Sequence, residues 1–162
     1  MLFRSREAGI ALAPTFVAFH PWSSLEGYLA LLTKLVELEL VESVPAIQLG
    51  IRLLIPQGSR LLELPGFERL IGAFDPELLG YPWAHSDPRV DALALEVQTL
   101  AEAGERESWS RGATFELIWT AAHSALGRNA PPLPPLVGDS PPHHSEPWYC
   151  CAEPTAQQLE SF

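Results

Sequence analysis

Apolar residues cluster in two short runs near the N-terminus, and a stretch of helical periodicity lies between them. The first run, Leu12-Ala13-Pro14-Thr15-Phe16-Val17-Ala18-Phe19, is β-branched and aromatic, and it stops at His20-Pro21, where proline cannot extend a ladder. It predicts a buried strand. Ser23-Ser24-Leu25-Glu26 has the form of a capping box with Ser23 as N-cap, and Leu25, Tyr28, Leu29, Leu32, Leu35 and Val36 follow at helical spacing. That pattern predicts an amphipathic crossover helix. In the second run, Ile47 to Pro56, residues Ile47, Leu49, Ile51, Leu53 and Ile55 share one face, and Gln48, Gly50, Arg52 and Leu54 share the other. Two strands joined through a helix are expected to pair in parallel with a right-handed crossover.

The polar face of the second run bears on function. Ligands of parallel sheets gather at the C-terminal ends of strands, so Gln48 and Arg52 line either a polar barrel interior or the solvent face of an edge strand. A buried arginine needs an anionic partner or water, because an unpaired one is costly.

Beyond Pro56 the pattern weakens. Gln57-Gly58-Ser59 is a turn, and Ser59 is placed to cap a short helix from Arg60 to Leu64. From Phe67 to Asp87, glycines and prolines punctuate a covering loop with a short helix near Pro76 to Leu79. Its Tyr81, Trp83, His85 and Asp87 either face a ligand or pack over a core edge. Asp87-Pro88 then opens a helix that should reach about Arg106, carrying Val90, Leu93, Val97, Leu100 and Ala101 on one face, with Gly104 weakening its end. A second helix from about Ser110 bears Phe115, Ile118, Trp119, Ala122 and Leu126 and closes at Gly127. The two predict a helical hairpin across the βαβ unit. His123 reads as a satisfied core or surface histidine.

From Ala130 onward the composition changes: eight of the 16 prolines lie there, with no helical or strand period. Such a segment is extended or disordered unless docked. The division is therefore residues 1–128 as a folded unit and 129–162 as a Pro-rich tail. That tail concentrates His143, His144, Cys150 and Cys151. Adjacent cysteines are poorly spaced to share one tetrahedral ion, so no metal ligands are assigned; as a vicinal pair they could form a strained, easily reduced disulfide.

Composition narrows the partners. The chain has 162 residues, 47% hydrophobic and 19% charged, enough for one real core. A net charge of −10 argues against nonspecific binding to nucleic acid or anionic membranes. Arg4, Arg6 and Ala11-Leu12-Ala13 faintly mimic a secretion signal, but Glu7, Pro14 and the aromatic run favour a strand. Two adjacent cysteines are no disulfide framework, which suits a reducing cytoplasm. The chain contains no GxSxG, phosphate loop, HExxH, GxGxxG or CxxxCxxC.

Two stretches, Pro14 to Tyr28 and Ile51 to Ser59, resemble later strands of the partial (β/α)6 TIM-like barrel of radical SAM proteins, especially those whose N-terminal half resembles a B12-binding domain. The ending Cys150-Cys151-Ala152-Glu153-Pro154 resembles the CUAEP/CCAEP tail of one radical SAM group, in which the second position is selenocysteine in some members and cysteine in others. The resemblance implies an α/β fold: a βαβ fragment of such a barrel, then the helical hairpin and the tail. It places His20, Trp22, Gln48 and Arg52 at the barrel mouth, with His20, Gln48 and Arg52 as cofactor-binding residues and Arg52 pairing with a carboxylate of S-adenosylmethionine. It also implies a nucleophilic or redox role for Cys150 and Cys151.

The family's 4Fe–4S cluster is held by three cysteines near the start of the barrel, and this chain has none before Cys150. The resemblance thus implies the C-terminal part of such an enzyme, inactive alone. S-adenosylmethionine, the 4Fe–4S cluster and, in B12-type members, cobalamin would belong to the complete protein. Its partners would be an N-terminal radical SAM half, in the same gene or a separate chain, and a small-molecule substrate, with neither nucleic acid nor membrane. Unpaired edges of two barrel strands would make the chain aggregate or depend on that partner. The other expectation is a non-enzymatic module presenting its tail as a metal or thiol carrier.

Overall fold

Asp87 and Pro88 start the longest helix among the described residues, as their spacing predicts; a second helix pairs with it, and a third packs on that second one. The structure, a computed structural model, describes residues 8, 12 and 14–136. Its helices are α1 (Leu25–Glu37), α2 (Pro88–Arg106) and α3 (Arg111–Ala125), with short 3₁₀ turns between α1 and α2. Each α-helix begins where a side-chain oxygen meets an amide that the helix itself leaves unpaired. Ser24 Oγ accepts from Gly27 N at 3.0 Å, Asp87 Oδ1 from Arg89 N at 3.0 Å, and Ser110 Oγ from Ala113 N at 3.1 Å. The cap of α1 is therefore Ser24, one residue later than expected. Ser23 Oγ instead accepts from His20 N at 2.8 Å and contacts Ala18 O at 3.4 Å, fixing the turn into the helix. Gly127 closes α3 at φ +67°, the left-handed conformation glycine adopts without strain.

The expected α/β architecture does not form. Among the described residues there is no strand and no sheet, so the βαβ fragment of a (β/α)6 barrel is replaced by a helical body. What remains of the parallel pairing is one bridge: Phe19 N donates to Ile51 O at 3.0 Å, and Leu53 N donates to Phe19 O at 2.9 Å. The alternation of Ile47 to Ile55 misleads because Pro45 begins a 3₁₀ turn, Ala46–Gly50, that buries Gln48, Leu49 and Gly50 consecutively. Side chains then take the carbonyls a neighbouring strand would have taken. Tyr28 Oη donates to Leu49 O at 3.1 Å, and Gln48 Nε2 donates to Phe16 O. Burial pushes the Tyr28 phenol far above its ordinary value, so it stays a donor.

The core lies between the three helices and the 40–51 segment. Phe19, Leu32, Leu49, Val97, Phe115 and Ile118 are almost entirely buried, and each side chain of this size contributes about 2 kcal/mol by leaving water. Phe19 stacks on Tyr28 with ring centroids 4.6 Å apart, which seats the bridge on α1. The expected hairpin of α2 and α3 is present, and Gly104 sets its closeness: a Cβ there would stand 2.5 Å from Thr114 Oγ1.

Between Leu53 and Trp83 the chain forms a smaller cluster, Ile55, Phe67 and Trp83, flanked by Leu61, Leu62, Leu70, Ile71 and Tyr81. Isolated antiparallel bridges, Pro56 with Gly80 and Ile71 with Trp83, hold it together. Gly80 permits the first, since a Cβ there would stand 3.0 Å from Ile55 O.

The expected unpaired sheet edges are absent along with the sheet, and no buried side-chain nitrogen or oxygen among the described residues lacks a hydrogen-bond partner. No described helix is long and apolar enough to cross a membrane.

Candidate functional site

Arg52 leaves the bridged segment as a half-buried cation and meets the first turn of α2. Its Nη1 lies 2.6 Å from Asp91 Oδ1, its Nη2 donates to Trp83 O at 3.0 Å, and the guanidinium stands 4.0 Å from the centre of the Trp83 ring. Asp91 Oδ2 in turn accepts from His85 N at 2.8 Å, and Trp83 Nε1 donates to Leu53 O at 2.8 Å. The anion that Arg52 was expected to need is therefore Asp91. Asp91 also sits at a helix N-terminus, where a negative charge is favoured.

Beside this hub the structure brings together His20 and Trp22, between the first run and α1, and His85, Asp87 and Arg89, around the start of α2. Trp22, 54% exposed, stacks on buried Phe67 with centroids 5.7 Å apart, and the His20 ring lies tilted 6.0 Å from the indole. Both imidazoles are oriented by the same local contact. Trp22 N donates to His20 Nδ1 at 3.3 Å, and Asp87 N donates to His85 Nδ1 at 2.9 Å. His85 Nδ1 also lies 3.1 Å from Asp87 O. A backbone N–H is a permanent donor, so Nδ1 of His20 is an acceptor; Nδ1 of His85 faces both an N–H and a carbonyl, and its role follows the tautomer.

Electrostatics separate these groups. Burial holds the His20 imidazole below its ordinary value, and the nearby His85 charge lowers it further. Asp87 is held down to about 2 by hydrogen bonds from the Arg89 side chain and backbone, so the pair is ionised at neutral pH. The cluster thus sets two imidazoles and an ionised Asp–Arg pair beside an open indole. Among the described residues no three His, Cys, Asp or Glu side chains gather in a way that could hold a metal ion.

The sequence-predicted residues are distributed unevenly about this site. His20 belongs to it. Arg52 adjoins it but is taken up by Asp91 and Trp83, and Gln48 is 3% exposed and turned to Phe16 on the core side. Cys150 and Cys151 lie outside the described residues, as do His143 and His144. His123 is buried, its Nδ1 2.8 Å from Trp119 O. Asp91, Arg89 and Phe67 escaped the sequence reading. Asp87 and Asp91, four residues apart at the head of α2, were the available signal for a charged helix start. The chain matches no known family, no curated protein and no solved structure.

Proposed function

We propose that the chain is a thiol-carrying module: a helical body that presents a tail resembling that of the CUAEP/CCAEP radical SAM group and serves a cluster-bearing partner. The supporting observation is the engagement of Arg52. Its charge and its fork of donors are taken up by Asp91 and Trp83, and Gln48 is taken up by Phe16. The two side chains expected to face S-adenosylmethionine in the second run therefore serve the body's own packing. Cys150 and Cys151 are left as the groups suited to covalent work. On thiol–disulfide exchange the pair would lose two electrons and two protons to a partner disulfide, which leaves as two thiols, and would close a strained ring that reopens readily. Glu153, two positions on in sequence, would disfavour the Cys151 thiolate.

The test is oxidation of the full chain by excess glutathione disulfide, followed by mass spectrometry. The expected product is about two daltons lighter than the reduced chain and carries no glutathione, whereas Cys151→Ser traps a stable mixed disulfide at Cys150. Glutathione retained on both cysteines of the unaltered chain would overturn ring closure, and no reaction at all would make the pair inert. The partner half is tested separately, by adding the chain to a reconstituted protein that carries CxxxCxxC and is encoded beside it. Turnover should rise with the unaltered chain and stay at its basal level with Cys151→Ser.

A further inference from the structure

Beyond α3 the chain turns back along the helix it has just left, and residues 130–136 read Ala-Pro-Pro-Leu-Pro-Pro-Leu. Each proline fixes its own φ, and each residue before a proline is held to extended ψ, so almost every torsion in the segment is set by sequence. The segment is neither helix nor strand. Its burial repeats every three residues. Ala130, Leu133 and Leu136 pack against the main core, and Pro131, Pro132, Pro134 and Pro135 are all exposed. A period of three is that of the polyproline II helix, whose side chains form three edges.

One edge is fastened to the body. Leu136 Cδ1 lies 2.9 Å from where a Cβ on Gly112 would stand, so that glycine makes its seat. Polyproline II has no internal hydrogen bonds, and Trp119 Nε1 supplies one from outside by donating to Pro131 O at 3.0 Å. The other two edges, Pro131 with Pro134 and Pro132 with Pro135, face solvent. Docking through leucine does not require this, since any polar residue would serve at the four outward positions.

We propose that this strap is a ligand: the two outward proline edges insert into an aromatic-lined groove of a partner protein of the kind that recognises polyproline II. Such grooves take pairs of pyrrolidine rings between parallel aromatic side chains, and the Pro131-Pro132 and Pro134-Pro135 pairs are presented one helical turn apart. Because the leucine edge is already held by α3, the ligand is ordered before it binds, and the partner does not bear the cost of ordering it. Arg128, exposed at the root of the strap, supplies a cation that an acidic residue beside the groove would use to choose the binding direction. The inference does not depend on the chemistry of Cys150 and Cys151.

The test uses WW and SH3 domains as probes, first screened against the free peptide of residues 130–136. A binder from that screen, labelled with ¹⁵N, is then titrated with the full chain. The expected result is that the full chain binds as tightly as the free peptide or tighter. Replacing Pro132 and Pro135 together by alanine should cost at least tenfold, and Trp119→Phe, checked for an unchanged helical spectrum, should bring affinity back toward that of the peptide. Failure of every probe to bind the peptide overturns the proposal, and so does a full chain that binds tenfold more weakly than the peptide, which would make the strap an internal brace. Unchanged affinity in the double proline variant overturns it equally.

Discussion

Arg52 and Asp91 stand 39 positions apart in sequence and 2.6 Å apart in space, and through them the start of α2 is tied to the parallel bridge between Phe19 and Arg52. The pair is partly shielded, with side-chain exposures of 16% and 30%, so its loss costs more than that of a surface ion pair and less than that of a fully buried one. Arg52→Ala should lower stability by about 2 kcal/mol in urea unfolding, with a coupling to Asp91→Ala of about 1 kcal/mol in a double-mutant cycle. Arg52→Lys should recover little, because one ammonium cannot hold the carboxylate, the Trp83 carbonyl and the Trp83 ring together. Additive losses in the cycle would refute the coupling.

Gly104 predicts a reversal of the usual helix rule. Alanine in a helix interior is favoured over glycine by about 1 kcal/mol, yet here its methyl would meet Thr114 Oγ1 at 2.5 Å. Gly104→Ala should therefore destabilise by about 1–3 kcal/mol through overpacking of α2 on α3. In a Thr114→Ala background the same change should become neutral or stabilising, and thermal melts of the four variants measure the difference.

Tyr28 predicts the cost of an orphaned carbonyl. Tyr28→Phe keeps the stack on Phe19 and removes the donor to Leu49 O, so the 3₁₀ turn loses a buried partner. The expected loss is about 1–3 kcal/mol. It should appear with faster amide exchange over 46–50, and unaltered exchange there would show that the tyrosine does not hold the turn.

His20 gives a pH dependence of defined sign. Its folded pKa lies below the ordinary 6.5, from burial first and His85 second, so the folded state resists protonation. The stability linked to this group is fully present above pH 6.5 and declines as the pH falls from there through the folded value. Asp87 acts in another window. Its pKa is depressed from 3.8 to about 2, so its contribution is lost only as the pH falls through that range. NMR titration should find His20 below the ordinary imidazole value, and His85→Gln should raise it part of the way. An unshifted His20 in that variant would leave burial as the whole cause.

The helices were legible where local chemistry decides them. Asp87-Pro88, Ser110 and Gly127 mark ends that no distant contact alters, and the buried stripes of α2 and α3 follow the spacing of their apolar residues. The second run was misread because its alternation spans two different pieces, the 3₁₀ turn Ala46–Gly50, which buries three consecutive residues, and the extended piece after it. What selects the turn is Pro45 together with the Tyr28 hydroxyl, and Tyr28 acts from 21 residues away. The site was legible in part: His20, Trp22, His85 and Asp87 each stand at a break before a helix. Asp91 was not, because an acid on the first turn of a helix carries no mark of the arginine it will meet.

The satellite cluster of Ile55, Phe67 and Trp83 has a thermodynamic consequence. It touches the helical body through a few identifiable fasteners, among them the Phe19 bridge, the Arg52–Asp91 contact, the His85 amide on Asp91 and the stack of Trp22 on Phe67. A region joined in this way is expected to open at less than the global free energy, with the segment from Leu53 to Trp83 coming away before the three helices separate. Salt that screens the ionic fastener would then uncover the buried Phe67 ring without unfolding the helical body.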